Sequence, residues 1–358
     1  MADTSDPLVI EASKNEAANS FIMSPMIEKG STVLVTGVNG FIASHVADQL
    51  LQAGYQVRGT VRSQDKANWL YALFDSIYAK GKFEAVTVPD MVADGAFDDA
   101  VQGVSGIVHL ASVVTFSDKF DEVVPPTVKG ALNVLTSASK ESGVKSVVYT
   151  SSSTAALTPV PNKKIVITAD SWNEAAVNAA QNDPNVDPYS VYAASKTEGE
   201  RAIWKAVGQT KPPFQVAALL PNANFGRVLQ LGGEMSASTG AWPAQLFTGD
   251  VGKLNPMDLP PQWFVDVQDD ARLHVAALID PSCNGKRIFA FAKPYTCNEI
   301  LAIFRKAYPD RKFMDDRDMG EDLSEIPTKF AEELLRKHYG KGWTSLEESV
   351  KAGVANLA

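Results

Sequence analysis

A β-branched run, Thr32-Val33-Leu34-Val35-Thr36, stops at Gly37, and an apolar pattern at helical spacing begins at Phe41. A strand that must turn into a helix over so short a connection needs glycine's backbone freedom. Such a turn also gathers the free N–H groups of the helix N-terminus, where a pyrophosphate is held well. The spacing is Gly37-x-x-Gly40-x-x-Ala43 rather than Gly-x-Gly-x-x-Gly, with small Ala43 permitting close approach of helix to strand. Gly37, Asn39, Gly40, Phe41 and Ile42 are therefore candidate contacts for a dinucleotide.

The remaining pattern extends this first unit. Short apolar runs recur at Tyr55–Val61, Phe83–Val88, Gly106–Leu110, Ser146–Thr150 and Phe214–Leu220. Helical stretches separate most of them, including Phe41–Ala53, which stops at Gly54, and Val128–Lys140. Strand–helix alternation with glycine at the crossings predicts an α/β fold, a Rossmann-type doubly wound parallel sheet. Residues 222–261 break the rhythm with Gly, Pro, Ser and Asn, as loops covering a ligand do. We expect a dinucleotide-binding domain over 30–221, with 262–295 contributing, and a smaller substrate-binding lobe from 222–261 and 296–358. Residues 1–29 are expected to form a loosely held extension.

The balance of 33 Lys plus Arg against 42 Asp plus Glu, net charge -9, argues against nucleic-acid or anionic-membrane partners. No stretch approaches the roughly 20 apolar residues of a membrane span. Residues 1–29 fit neither a secretory signal nor a transit peptide, and a cytoplasmic location is expected. Cys283 and Cys297 are too few for a disulfide scaffold, lack metal-site spacing, and read as reduced thiols. No metal is expected.

Tyr192-Ala-Ala-Ser-Lys196 carries the chemistry. Four-residue spacing sets Tyr192 and Lys196 on one helix face, one turn apart. A phenol so placed can protonate a carbonyl oxygen while the ammonium stabilises the phenolate. Together with the glycine turn, the pair points to hydride transfer. The end of the second strand selects the cofactor. An acidic residue there would hold a ribose 2′-hydroxyl, but this chain has Arg62, suited to a 2′-phosphate, with Lys66 as a second cation. NADP is the expected dinucleotide. Asp90, past the third strand, is either an adenine contact or a surface acid. Ala111 and Ser112 end the fourth strand with small residues that allow close approach of a cofactor. Thr150-Ser151-Ser152-Ser153-Thr154 closes the fifth strand with hydroxyls, any of which can face a carbonyl. Asn133 is either polar packing or part of a proton relay.

These residues resemble a known family. Thr36-Gly37-x-x-Gly40-Phe41-Ile42-Ala43, Val57–Arg62, Ser151-Ser152 and Tyr192-x-x-x-Lys196 are similar to the extended short-chain dehydrogenases/reductases. Asp170-Ser171-Trp172-Asn173 and Tyr192-Ala-Ala-Ser-Lys196-Thr197-Glu198 resemble its dihydroflavonol-reductase-like branch, which includes yeast NADPH-dependent aldehyde (carbonyl) reductases. The similarity runs from about Ser31 to the C-terminus. It implies NADPH-dependent reduction of aldehydes and ketones, aromatic ketones and keto esters included. It implies Tyr192 as acid, Lys196 as ribose ligand lowering the Tyr192 pKa, and Ser152 as holder of the carbonyl. It further implies that Met91, Pro221 and Asn222 contact the cofactor and that Phe116, Trp242 and Gln262 line the substrate pocket. Two rival readings are an NAD-dependent nucleotide-sugar epimerase or dehydratase and a non-catalytic NADP-binding regulator. Arg62 weighs against the first and the intact Tyr192/Lys196 pair against the second.

Overall fold

The computed structural model describes residues 25–115, 117–230, 238–252 and 254–357. Seven strands form one parallel sheet: β1 (Thr32–Thr36), β2 (Gln56–Val61), β3 (Phe83–Thr87), β4 (Gly106–His109), β5 (Ser146–Thr150), β6 (Gln215–Pro221) and β9 (Arg287–Ala290). Their order is β3-β2-β1-β4-β5-β6-β9, so the winding reverses between β1 and β4. That reversal opens a crevice at the carboxyl ends of the strands, where such sheets take their ligands.

Side chains alternate across the sheet. Val33 and Val35 enter a core shared with helices α1 (Phe41–Gln52), α2 (Asn68–Ile77) and α7 (Val267–Ile279). Leu34 points to the other core, under α3 (Phe120–Ala138) and α5 (Pro188–Thr210). Helix α3 begins well before the Val128 start expected from the sequence, and Pro125 and Pro126 lie inside it. Each removes an amide donor, yet Val123 and Val124 are buried and Asp121 and Glu122 suit the positive end of the helix.

Residues 222–261 hold regular structure that the Gly/Pro content concealed. Strand β7 (Ala223–Phe225) pairs parallel with β8 (Gln262–Asp266), which pairs antiparallel with β10 (Lys293–Tyr295). Phe225, Phe264 and Tyr295 from these strands pack with Phe247 of α6 (Ala241–Thr248) and Phe304 of α8 (Cys297–Ala307). The C-terminal region divides. Helix α10 (Leu346–Val354) joins this aromatic core, whereas α9 (Lys329–Tyr339) packs into the core beneath α7. There Asp280 accepts hydrogen bonds from Lys337 at 2.6 Å and His338 at 2.8 Å. Between α3 and α5, α4 (Glu174–Asn182) is capped by Asn173, whose Oδ1 accepts from the Ala176 amide at 3.2 Å.

Candidate active site

The glycine turn is built by close contacts. Gly37 has φ +64, a region L side chains rarely adopt, and its amide donates to Thr60 Oγ1 at 3.0 Å. Gly59 in β2 has no room for a side chain, since an added Cβ would lie 2.3 Å from Val38 Cγ1. Thr36 Oγ1 accepts from the amides of both Leu110 and Ala111 at 3.0 Å, which leaves its proton to donate to His109 Nδ1 at 2.9 Å. This one hydroxyl ties the end of β1 to the end of β4 across the reversal. Beyond the turn, His45 of α1 donates to the Arg227 carbonyl at 2.7 Å, and the Phe41 ring fills the space beside Gly240. The helix behind the turn is thus joined directly to the small lobe.

The catalytic candidates lie along α5. Asp187 caps it, accepting from the Ser190 amide at 3.0 Å, and Pro188 takes the first helical turn. Small residues, Ala193, Ala194, Ser195 and Gly199, let the helix settle against the sheet. A Cβ on Gly199 would meet the Tyr149 hydroxyl at 2.6 Å. Tyr192 is half-buried and Lys196 buried, with Lys196 Nζ 6.0 Å from the centre of the Tyr192 ring. Lys196 Nζ donates to the Thr150 carbonyl at 3.4 Å.

The hydroxyl cluster after β5 separates by role. Thr150 Oγ1 lies 2.9 Å from His274 Nε2. The other ring nitrogen of His274 is 2.8 Å from the Asp270 carbonyl, which can only accept, so Thr150 is the donor to Nε2. Ser151 Oγ donates to Glu200 Oε2 at 2.6 Å on the opposite face. Ser152 Oγ accepts from the amide of Thr154 at 3.2 Å and from its hydroxyl at 3.0 Å. Its own proton is then free to go to Tyr192, with which it is hydrogen-bonded. The structure therefore brings Ser152, Tyr192 and Lys196 together and turns Ser151 away.

Burial pushes the Tyr192 phenol above its ordinary value, and the Ser152 hydrogen bond pulls it partly back. Burial lowers Lys196 to about 8, opposed by the charge of Glu200. The resemblance implied a phenol pKa brought down by the lysine; here burial is the larger effect and raises it, opposed by the Ser152 hydrogen bond. The consequence favours reduction, because the phenol carries its proton at neutral pH.

The other candidates take varied positions. Asn39, Phe41 and Ile42 are half-buried at the turn, and Gly40 is exposed. Arg62 and Lys66 are exposed beyond β2. Asp90 is exposed and accepts from the Val92 amide at 2.8 Å, closing its own turn. Met91 packs on Gly130, and its carbonyl accepts from Asn133 at 2.9 Å. Asn133 also donates to Ala93 at 2.8 Å, so it braces this loop rather than relaying protons. Ala111 backs onto Gly37, where an added Cβ would touch it at 3.4 Å. Pro221 ends β6. Trp242 packs edge-on to Phe225, and Gln262 is buried opposite Tyr295. Phe116 lies outside the described residues. Sequence reasoning passed over Glu200, Arg287 and His274, although Glu200 lies a further helical turn along the Tyr192/Lys196 face.

Two buried polar atoms at the crevice have no partner among the described residues, Ser112 Oγ after β4 and Asn222 Nδ2 after β6. With the glycine turn, they suit a ligand carrying its own donors and acceptors, as a dinucleotide does.

The 3-beta hydroxysteroid dehydrogenase/isomerase family matches residues 34–233, more than half of the sequence. The chain belongs to this family. Within its reach, aldehyde reductase 2 of Sporidiobolus salmonicolor is 42% identical over 335 residues, covering 92% of this chain and 97% of that protein. Ketoreductase adrE of Penicillium roqueforti is 37% identical, covering 94% and 98%. Among solved structures, Gre2 of Candida albicans in complex with NADPH superposes with a TM-score of 0.78 at 29% identity, over 91% of this chain and 99% of that one. The family match spans the glycine turn, the serine cluster and the Tyr192/Lys196 pair, so the residues grouped here lie inside the shared region. Among the described residues no helix is long and apolar enough to cross a membrane, and no cluster of three His, Cys, Asp or Glu could hold a metal ion.

Proposed function

We propose that this chain is an NADPH-dependent carbonyl reductase that converts aldehydes and ketones, including aromatic ketones and keto esters, to alcohols. The observation that carries this reading is the junction of Ser152 with Tyr192 and Lys196 beside the glycine-turn crevice. The reductase relatives and the NADPH-bound fold neighbour support it. The turn residues Gly37, Asn39, Gly40, Phe41 and Ile42 hold the pyrophosphate side of the cofactor. Arg62 and Lys66 take the 2′-phosphate, and Ala111, Ser112, Pro221 and Asn222 line the path to the reacting end. When bound, NADPH supplies the hydride.

The chain's own groups do the rest. Ser152 holds the carbonyl oxygen and orients it towards Tyr192. Tyr192, protonated at neutral pH as an ordinary phenol is and raised further by burial, delivers its proton to that oxygen. Lys196 stabilises the phenolate left behind. Trp242, Gln262 and Phe116 shape the pocket around the rest of the substrate. The acidic charge suits a small-molecule enzyme of the cytoplasm rather than a nucleic-acid or membrane binder.

The test is loss of reduced-cofactor absorbance with NADPH and NADH separately, across aldehydes, aromatic ketones and keto esters. NADPH-dependent loss with several simple carbonyls is expected. Tyr192→Phe should still bind NADPH but lose turnover by about 10²–10⁴-fold, the usual value of a positioned proton donor. A folded Tyr192→Phe enzyme that kept its rate would refute the assignment.

A further inference from the structure

Glu200 is fully buried, yet four donors surround its carboxylate. Oε1 accepts from Arg287 Nε at 2.6 Å and Trp204 Nε1 at 3.0 Å. Oε2 accepts from Ser151 Oγ at 2.6 Å and Arg287 Nη2 at 3.2 Å. Arg287 is fixed in turn. Its Nη1 donates to the carbonyls of Ala169 at 2.9 Å and Ser171 at 2.6 Å, and its guanidinium lies 3.9 Å from the Trp172 ring centre. One carboxylate therefore gathers the end of β5, the middle of α5, the start of β9 and the loop before α4.

Stability alone does not account for this arrangement. A buried ion pair is commonly matched or exceeded in stability by apolar residues of the same volume. Its placement is informative. Glu200 lies one helical turn beyond Lys196 and two beyond Tyr192, and it bonds the serine immediately before Ser152. We propose that Glu200 is a positioning residue of the active site. Through Ser151 and Arg287 it sets the register between the Ser152 loop and the Tyr192–Lys196 helix, and its carboxylate, one helical turn away, acts on Lys196. The proposal rests on the reading that Tyr192 and Lys196 perform the proton chemistry.

The groups facing Lys196 make the second part measurable. On α5 these are Tyr192 and Glu200. From β4 comes His109, which burial holds down near 3, with the Lys196 charge acting in the same direction. From β5 comes Tyr149, raised by burial and then by Glu200 and Tyr192. Beyond them lie Arg287 on β9 and, across Thr150, His274, which burial lowers to about 4. His109 and His274 are neutral and Tyr149 is protonated across the working range. The anion that acts on Lys196 is then Glu200, offset by Arg287.

Glu200→Gln, made in the full chain, keeps the shape and removes the charge. It should move the alkaline limb of the kcat profile down by about one pH unit, the scale of one partly compensated charge at this range. NADPH affinity, followed by cofactor fluorescence without turnover, should lose its pH dependence at the same lower pH. Ser151→Ala keeps the ion pair and should lower kcat about tenfold at all pH values, with KM changed less than about threefold. An alkaline limb unmoved in Glu200→Gln, with only thermal stability reduced, would overturn the proposal. So would Ser151→Ala at wild-type kcat. If Glu200→Gln does not fold, Glu200→Asp, which retains charge, should keep the wild-type limb while lowering kcat, and full kcat there would count against positioning. Tyr192→Phe run alongside separates the two ideas: retained turnover in that variant removes the underlying reading whatever Glu200 does.

Discussion

Glu200 and Asp270 are both fully buried carboxyl groups, one on each face of the central sheet, and each reaches the end of β5 through its surroundings. Glu200 accepts from four donors: Nε and Nη2 of Arg287, Nε1 of Trp204 and Oγ of Ser151. The carboxyl of Asp270 instead meets the Asn224 side chain, with His274 Nδ1 3.4 Å from its Oδ1. Burial, with Asp269 and Asp266 adding to it, pushes Asp270 far above the usual carboxylate range, although the Asn224 side chain beside it opposes this. Its neighbour His274 is likewise held neutral, lowered by burial to about 4. The two faces thus fix consecutive residues, Thr150 and Ser151, by different means. One uses an ion pair, and the other uses groups that burial holds neutral. A charge on the α7 face would compete with Glu200 for the field at Lys196. Keeping Asp270 and His274 neutral leaves Glu200 to set it.

The largest effect should come from taking away the cation. Arg287→Met leaves Glu200 buried without its counter-charge, and should destabilise the fold by about 3–5 kcal/mol. Denaturant unfolding at pH 7 measures this. Adding Glu200→Gln to Arg287→Met should restore part of the loss, since the stranded charge is gone. A single Arg287→Met change with stability near wild type would mean that Glu200 is not held as an anion, and the contrast between the faces would collapse.

His274 gives the intermediate effect, on the neutral face. Its folded pKa, about 4, lies below the ordinary 6.5. The unfolded chain therefore binds the proton first as pH falls. The stabilisation is fully present above pH 6.5 and is lost as pH drops towards 4, reaching about 3 kcal/mol. His274→Gln, whose amide can offer one donor and one acceptor, should flatten stability between these pH values by about one proton's slope. An unchanged slope would show that the imidazole is not kept neutral, and that this face carries charge after all.

How much of this was legible in the sequence follows the distance over which each feature is specified. Gly37, Gly40, Tyr192 and Lys196 stand out because a turn or a single helical turn determines their relation. Glu200 and Arg287 are 87 residues apart, and only the β6–β9 pairing and the depth of α5 bring them within reach. Arg287 belongs to a four-residue strand too short to show a period. Strands β7, β8 and β10 were obscured by adjacent prolines and by length, being stabilised by pairing with one another rather than by local preference. The choice among Ser151, Ser152 and Ser153 depends on which hydroxyl each face has already engaged. That information lies in α5 and α7, not in the serine run.

The smallest effect is the sharpest test of the neutral face. Asp270→Asn replaces a buried, protonated carboxyl with a neutral group of nearly the same shape. Because the folded pKa of Asp270 is raised, its contribution is fully present below its ordinary carboxylate range and declines as pH rises towards the folded value. Asparagine does not titrate, so the variant should gain on the wild type with rising pH. At pH 3.5 the two should differ by less than about 1 kcal/mol, and at pH 8 the variant should be the more stable. Urea unfolding at both pH values reads the difference directly. The kcat profile should keep its alkaline limb, in contrast to Glu200→Gln, because no charge near Lys196 has been removed. A limb displaced equally by both substitutions would place an anion on each side of β5, and Glu200 would lose its distinction from Asp270.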